Sequence, residues 1–316
     1  MNGLKSAFCF LLFMSSVTLL LGCTSSINHS DDMDVVIARF EFPTNEPESK
    51  HTQPELEMSE KTVFEEIENQ RIIYLQDDFY YINSWTDITP SDLDVEKFVE
   101  YDLSISLDGT NPKVLIFHTH SLEMYSNSEN VNDGVIAVGK ILKEVLEQQY
   151  NIPAIHITTA FDVVDGNLNR EGAYERMENE VRKILRDNPS IEILIDLHRD
   201  AVAYYTRLVT TINSNPTAQI RFFNGMSKSK ARNHDPIDFQ NNYVFDNLAF
   251  SFHMKQAANE LYPNFAKPIY LAPYRYGQHM LPKSLLINVG AQTNTQEEAN
   301  NAAPIIAEIL AKTILP

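Results

Sequence analysis

Residues 113–123, Lys-Val-Leu-Ile-Phe-His-Thr-His-Ser-Leu-Glu, decide the architecture of this chain. Val114-Leu115-Ile116-Phe117 is a continuous apolar run, too short for a helix and without polar alternation, so it reads as a strand buried on both faces. Downstream, Val135, Val138, Leu142, Val145 and Leu146 recur at helical spacing. The pattern then repeats: a strand at 155–158, and an amphipathic helix marked by Tyr174, Met177, Val181, Ile184 and Leu185. A third buried strand at 191–197 follows, with further strands at 208–212 and 220–223. A long helix at 247–261, a last buried strand at 285–287 and a helix at 296–312 complete the chain. Strands separated by helices of this length predict an α/β fold, a mostly parallel twisted sheet with helices on both faces. No internal repeat is visible.

The segment ahead of this domain reads differently. Lys5 precedes an almost unbroken apolar stretch from 7 to 21, short for a membrane span, which ends in Leu20-Leu21-Gly22-Cys23. A small residue before Cys, after aliphatic residues, resembles the lipobox of bacterial lipoproteins. Residues 1–22 are then a lipoprotein signal peptide, Cys23 is the lipidated residue, and the protein is extracytoplasmic and lipid-anchored to the bacterial cell membrane. Residues 23–60, rich in Ser, Asn, Pro and acids, read as a tether. Residues 61–110 form an N-terminal extension of mixed structure, in which Ser91, Asp92 and Asp94 predict a short helix through Tyr101. Residues 111–316 are the main domain. With Cys9 and Cys23 as the two cysteines, both in or next to the signal segment, the domain has no thiol for a disulfide, a nucleophile or a metal. A net charge of -18 argues against a nucleic-acid partner.

In open α/β sheets ligands gather at the carboxyl ends of strands. Three such ends are polar here: His118-Thr119-His120-Ser121-Leu122-Glu123, Asp196-Leu197-His198-Arg199-Asp200, and Asn288-Val289-Gly290. His120 and Glu123 form an H-x-x-E pair that brings an imidazole and a carboxylate toward one cation. His198 is the natural third ligand, leaving a coordination position open, which is the design of a catalytic zinc site. Asp196 or Asp200 would orient an imidazole from behind. Against this stands the plainer reading that a histidine at a strand end is a turn residue, and that H-x-x-E alone is a weak pattern.

Four blocks add to the metal reading. Residues 114–125 (VLIFHTHSLEMY), 195–201 (IDLHRDA), 268–279 (PIYLAPYRYGQH) and 284–298 (SLLINVGAQTNTQEE) resemble, in order, the stage II sporulation protein P family over residues 100–316. The resemblance implies an amidase-like domain and a zinc-dependent peptidoglycan hydrolase of the N-acetylmuramoyl-L-alanine amidase type, able also to cut peptide cross-links. It further implies work at the membrane beside a membrane-anchored lytic transglycosylase and a membrane scaffold protein. It assigns zinc to His118 or His120, to Glu123 and to His198. Glu129 and Asp133 remain alternatives to Glu123, because related amidases take their carboxylate from the start of the next helix. One departure stands out: the last strand of such amidases ends in a catalytic Glu, and here Asn288 occupies that place. Glu297 or Glu298 would then substitute, or zinc alone suffices at reduced rate, or the domain has become a binder, with Asn288 left to orient an intermediate by hydrogen bonding. Arg199 would grip a substrate carboxylate or pair with Asp196 or Asp200. Arg275, Gln278 and His279 would touch substrate. Two rival readings are a non-catalytic wall-binding lipoprotein and a zinc peptidase, since H-x-x-E with a distant His is shared by several amide hydrolases.

Overall fold

The apolar run of the opening motif forms strand β2, Val114–Phe117, with all four residues buried. The structure, a computed structural model, describes residues 79–130, 132–230 and 240–316. The expected signal peptide, Cys23, the tether and residues 61–78 of the N-terminal extension lie outside the described residues.

Six more strands join β2: β1 (Tyr80–Ile82), β3 (Ala154–His156), β6 (Ile193–Asp200), β9 (Ile220–Gly225), β10 (Ile269–Ala272) and β11 (Ser284–Ala291). Their order is β1-β10-β9-β11-β6-β2-β3. Every neighbouring pair is parallel except β9 with β11, so the sheet is mostly parallel, as the sequence predicts. Two small hairpins stand apart, β4 (Val163–Val164) with β5 (Asn167–Leu168), and β7 (Val209–Ile212) with β8 (Asn215–Ala218). The run at 208–212 therefore belongs to a hairpin with alternate residues exposed, and not to the main sheet. The strands β1 and β10 were not foreseen; each is only a few residues long and lacks a long apolar run.

Among the described residues the fold also has five helices: α1 (Val95–Val99), α2 (Val135–Tyr150), α3 (Ala173–Asp187), α4 (Val244–Leu261) and α5 (Gln296–Ile314). The first is shorter than expected: a 3-10 turn takes Pro90–Asp92, and Asp94 then caps the helix by accepting from the Lys97 backbone N–H.

Strand parity distributes the side chains. Val114, Ile116, Ile193, Ile195, Leu197, Leu285, Ile287 and Val289 share one core with α2, α4 and α5. Leu115, Phe117 and Leu194 point the other way, onto Met177 and Val181 of α3. The described helices thus cover both faces, but unequally: α1 also adds Phe98 to the larger core, and α3 alone packs on the smaller one. The smaller cluster contains no residue of β1, β9 or β10, so among the described residues loops cover that part of the sheet.

The same parity explains why β6 and β11 outrun their apolar stretches. Asp196, His198 and Asp200 alternate with the core residues of β6, and Asn288 alternates with those of β11. Their backbones stay in the ladder while their side chains face the side where no helix stands over them. His198 and Asn288 are consequently inside strands, opposite each other in register, and Asn288 in turn faces Arg221 of β9.

Gly139 of α2 sits against the exit of β2, where an added Cβ would come 2.7 Å from His156 Nε2 and 2.8 Å from His118 Nε2. Alanine in a helix interior is ordinarily favoured over glycine by about 1 kcal/mol. Here overpacking of a closed site, costing about 1–3 kcal/mol, is the larger effect. Gly139→Ala should therefore lower the urea midpoint; a rise would show that the histidines beneath α2 have room to move.

Candidate functional site

The turn that leaves β2 is held by two buried carboxylates. Asp196 accepts hydrogen bonds from the Thr119 backbone N–H (2.9 Å) and hydroxyl (2.6 Å). Asp162 accepts from the Ser121 backbone N–H (3.1 Å) and hydroxyl (2.7 Å), and from the Leu122 N–H (3.3 Å). A turn pinned at 119, 121 and 122 fixes the directions of His120 and Glu123.

His118 and His120 go to different places. His118 is fully buried, with Nδ1 2.9 Å from the Leu197 carbonyl and Nε2 2.8 Å from His156 Nε2. A carbonyl only accepts, so Nδ1 carries the proton. Burial keeps both rings neutral, and His156 then donates to His118 Nε2. Burial lowers the His118 pKa to about 4 and that of His156 to about 3, with the neighbouring imidazole and Lys143 adding to the latter. His118 is a packed core histidine, and the expectation that it shares the metal site is corrected: its ring lies beneath Gly139 of α2, with both nitrogens engaged by Leu197 of β6 and His156 of β3.

His120 faces His198, with ring centroids 5.3 Å apart and nearly perpendicular planes. Its Nδ1 is buried without a hydrogen bond among the described residues. His198 lies between two carboxylates, with Nδ1 3.3 Å from Glu123 Oε2 and Nε2 2.8 Å from Asp196 Oδ1. The second contact lacks hydrogen-bond geometry, leaving Nε2 unsatisfied. Burial disfavours a charged ring, but the two acids outweigh it and push the His198 pKa upward. Burial likewise opposes the Glu123 charge, yet His198 and the Arg199 N–H (2.8 Å to Oε2) hold its carboxyl well below the usual range. Arg170 stands 3.7 Å from Glu123 Oε1.

Among the described residues no group of three or more His, Cys, Asp or Glu side chains is spaced as a metal site. His120, Glu123 and His198 nevertheless adjoin, with two orphaned imidazole nitrogens and a carboxylate between them. The donor set fits zinc; the spacing found is that of an imidazole clasped by acids. Of the alternative carboxylates, Glu129 is exposed, and Asp133 accepts from the Glu129 and Asn130 N–H groups at 2.7 and 3.0 Å and so closes its own loop.

Several expectations change at the rim. Arg199 donates from Nε to the Met124 carbonyl (2.6 Å) and from Nη1 to the Asp200 carbonyl (3.1 Å), so it ties backbone segments together and forms no ion pair with an acid side chain among the described residues. Glu298 caps α5, accepting from the Thr295 N–H and the Asn294 amide, and also pairs with Arg207. It is a cap and not a substitute base, and Glu297 is exposed on the same turn. Gln278 is buried, accepts from the Gly225 N–H (2.7 Å) and donates to the Phe223 carbonyl (2.6 Å), which makes it part of the scaffold.

Arg275 and His279 do reach a cleft of about 290 Å³, together with Tyr174, Glu178 and Tyr276. Tyr174 also stacks edge-on with His120 at 5.8 Å, so this cleft opens beside the histidine pair. His279 Nε2 is 3.1 Å from Glu178. A second cleft, of about 280 Å³, lies over Asn288, Asp200 and Arg221. Tyr276 lines both. Asp162, Glu178 and Arg221 carried no signal in the sequence; each acts through residues distant along the chain.

Comparison with known proteins adds the following. The model of the family described as Stage II sporulation protein P (SpoIIP) matches residues 25–311. Stage II sporulation protein P of Bacillus subtilis (strain 168) is 25% identical over 224 residues, 65% of this chain and 51% of that protein, so the match spans about half of the relative's length. Among solved structures, an N-acetylmuramoyl-L-alanine amidase from Clostridium difficile 630 aligns with 65% of this chain and 95% of its own, at 16% identity and a TM-score of 0.39. The CwlD amidase from Clostridioides difficile, solved in complex with the GerS lipoprotein, aligns with 64% of this chain and 93% of its own, at 13% identity and a TM-score of 0.38.

The His118–His156 pair makes stability acid-sensitive. Both rings are neutral when folded and have depressed pKa values, so their contribution is present above about 6.5 and is lost as pH falls toward 4. His198, with a raised pKa, works in the opposite sense and offsets part of the loss. Urea unfolding of the metal-free protein should show about 2–3 kcal/mol less stability at pH 5 than at pH 7. His156→Leu should flatten that dependence; an unchanged slope would mean the pair is not its source.

Proposed function

From its membership of the stage II sporulation protein P family, to which this chain belongs, we propose that the protein is a peptidoglycan hydrolase that cleaves the amide between N-acetylmuramic acid and the stem peptide. The observation that carries this reading is the meeting of His120, Glu123 and His198 on the thinly covered face of the sheet, between two clefts. An amide linking a sugar to a peptide needs a site open on both sides, and a single pocket would not serve.

In this reading His120, Glu123 and His198 hold a zinc ion. Zinc supplies Lewis acidity toward the scissile carbonyl and toward water. The chain supplies the rest. Asp196 lies along the Nε2 edge of His198 and pins Thr119. Arg170 and the Arg199 N–H keep Glu123 ionised. The Tyr174 ring limits water around His120. Cleavage of peptide cross-links, lipid anchoring through Cys23, action outside the cytoplasmic membrane, and partnership with a lytic transglycosylase and a membrane scaffold belong to the same proposal. The division into signal peptide, tether, extension and hydrolase domain goes with it.

One observation favours a second reading, in which the domain binds wall material without turnover. Asn288 stands in register beside His198, where a proton acceptor is wanted, and an amide cannot take a proton from water. Glu298 is committed to the α5 cap and does not fill the gap.

Digestion of purified muropeptides by the full chain, with added zinc and with chelator, tests both. Chelator-sensitive release of stem peptides, abolished by His198→Ala, is the expected result. Asn288→Glu should then raise the rate about 10²-fold or more, the usual contribution of a positioned acid or base. Muropeptide binding without product, even with zinc bound and Glu at 288, would leave the binder; absence of bound zinc would overturn the metal assignment.

A further inference from the structure

The cleft over Asn288 has a chemistry of its own. Strand register aligns His198, Asn288 and Arg221 as a row across β6, β11 and β9, their side chains on the face that carries no described helix over β9. Strands lie about 4.8 Å apart, so the row reaches roughly 10 Å outward from His198. Alongside it a second row, Leu286, Phe223, Tyr270 and Tyr81, continues to the sheet edge. Phe223 and Tyr270 stack at 4.9 Å and Tyr270 and Tyr81 at 5.4 Å, while Tyr276 closes edge-on over Phe223 at 4.7 Å. The cleft therefore has an aromatic floor and a polar lip.

Two polar groups of that lip lack partners. Among the described residues Arg221 Nε is buried with no hydrogen bond, and the Asn288 side-chain amide makes none although it lines the cleft. A buried donor left unmade costs about 1–3 kcal/mol, so such groups mark where a ligand or ordered water completes the site. The charge on Arg221 is already matched, because its Nη1 lies 3.2 Å from Asp200. An incoming carboxylate would add an uncompensated negative charge beside Asp200 and Asp196. A neutral ligand carrying both an acceptor and a donor would not.

We propose that this cleft is a saccharide subsite, holding one N-acetylated hexosamine ring beside His198, while the peptide occupies the cleft of Tyr174, Glu178, Arg275 and His279. The acetamido carbonyl accepts from Arg221 Nε or the Asn288 amide, its N–H donates to the Asn288 carbonyl, and its methyl rests on Phe223 and Tyr276. At about 280 Å³ the cleft suits one ring and not an oligomer. The assignment rests on the hydrolase reading above and gives that site its polarity, sugar toward β9 and peptide toward α3.

The test is binding to the full chain, by calorimetry or ligand-observed NMR, of three probes: di-N-acetylchitobiose, a free stem peptide and an intact muropeptide. Asn288→Leu and Arg221→Gln are compared with wild type, with thermal unfolding as the check on folding. Each variant should weaken di-N-acetylchitobiose about tenfold, the effect of losing one net hydrogen bond, and change stem-peptide affinity less than twofold. The subsite is overturned if a folded variant keeps wild-type sugar affinity, if the stem peptide is lost instead, or if the wild type binds no sugar. Muropeptide binding separates the two levels. If it persists in those cases, only the subsite falls; if the wild type binds no muropeptide, the hydrolase reading falls with it.

Discussion

One buried carboxylate, Asp196, ties the site together. It stands on β6 beneath the exit of β2, accepts two hydrogen bonds from Thr119, and lies 2.8 Å from His198 Nε2. A carboxylate taken out of water must be repaid by donors and opposite charge or it neutralises. Here the repayment is structural: the Thr119 bonds bend the chain so that His120 and Glu123 turn toward His198. Glu123 then meets the same demand through His198 and the Arg199 N–H. Two acids and one imidazole thus hold each other in place. A proton on His198 balances them in the metal-free molecule, and a divalent cation among the same groups would meet the same need. On the proposed reading, proton and metal would therefore compete for one position in the electrostatics of the fold.

The unequal coverage of the sheet follows from the sequence by simple parity and determines where chemistry can occur. Residues facing α2, α4 and α5 are aliphatic as far as Leu197 in β6 and Val289 in β11, whereas those on the other face turn polar after Leu194 and Leu286. Beyond the reach of α3 that face is covered by the loop through Tyr274, Tyr276 and His279, whose backbone packs so closely on Gly225 that a Cβ there would lie 2.3 Å from the Tyr274 carbonyl. A loop leaves clefts where a helix would leave none.

Much of this was legible in the chain itself. The apolar runs at 114–117 and 285–287 and the helical spacings of α2 and α3 give the α/β class directly. The meeting of His120, Glu123 and His198 followed from placing polar residues at strand ends. Sequence could not separate His118 from His120, because both have the parity of Val114 and Ile116. The difference arises where Asp196 and Asp162 turn the chain after Phe117, and those bonds span 77 and 41 residues. Arg199, Gln278 and Glu298 misled for one shared reason. Each is polar and lies near the site in sequence, yet its hydrogen bonds go to loop carbonyls, an N–H of β9 or a helix cap. Short β1 and β10 left too little apolar pattern to read, and Arg221 had no neighbour in sequence to mark it.

Asn288 looks different in this setting than it does as a lone departure from a motif. Its strand neighbours in register are His198 and Arg221. A carboxylate at 288 would add a third acid to a face that already holds Asp196 and Asp200, and would compete with Asp200 for the Arg221 guanidinium. The amide leaves Arg221 paired to Asp200 and adds no charge to the row. Whatever proton acceptor the position gives up, it gains a group that both donates and accepts beside a buried donor. The same substitution that weakens the case for turnover strengthens the case for holding a neutral, hydrogen-bonding ligand there, and catalysis and recognition at this site are accordingly separable properties of one residue.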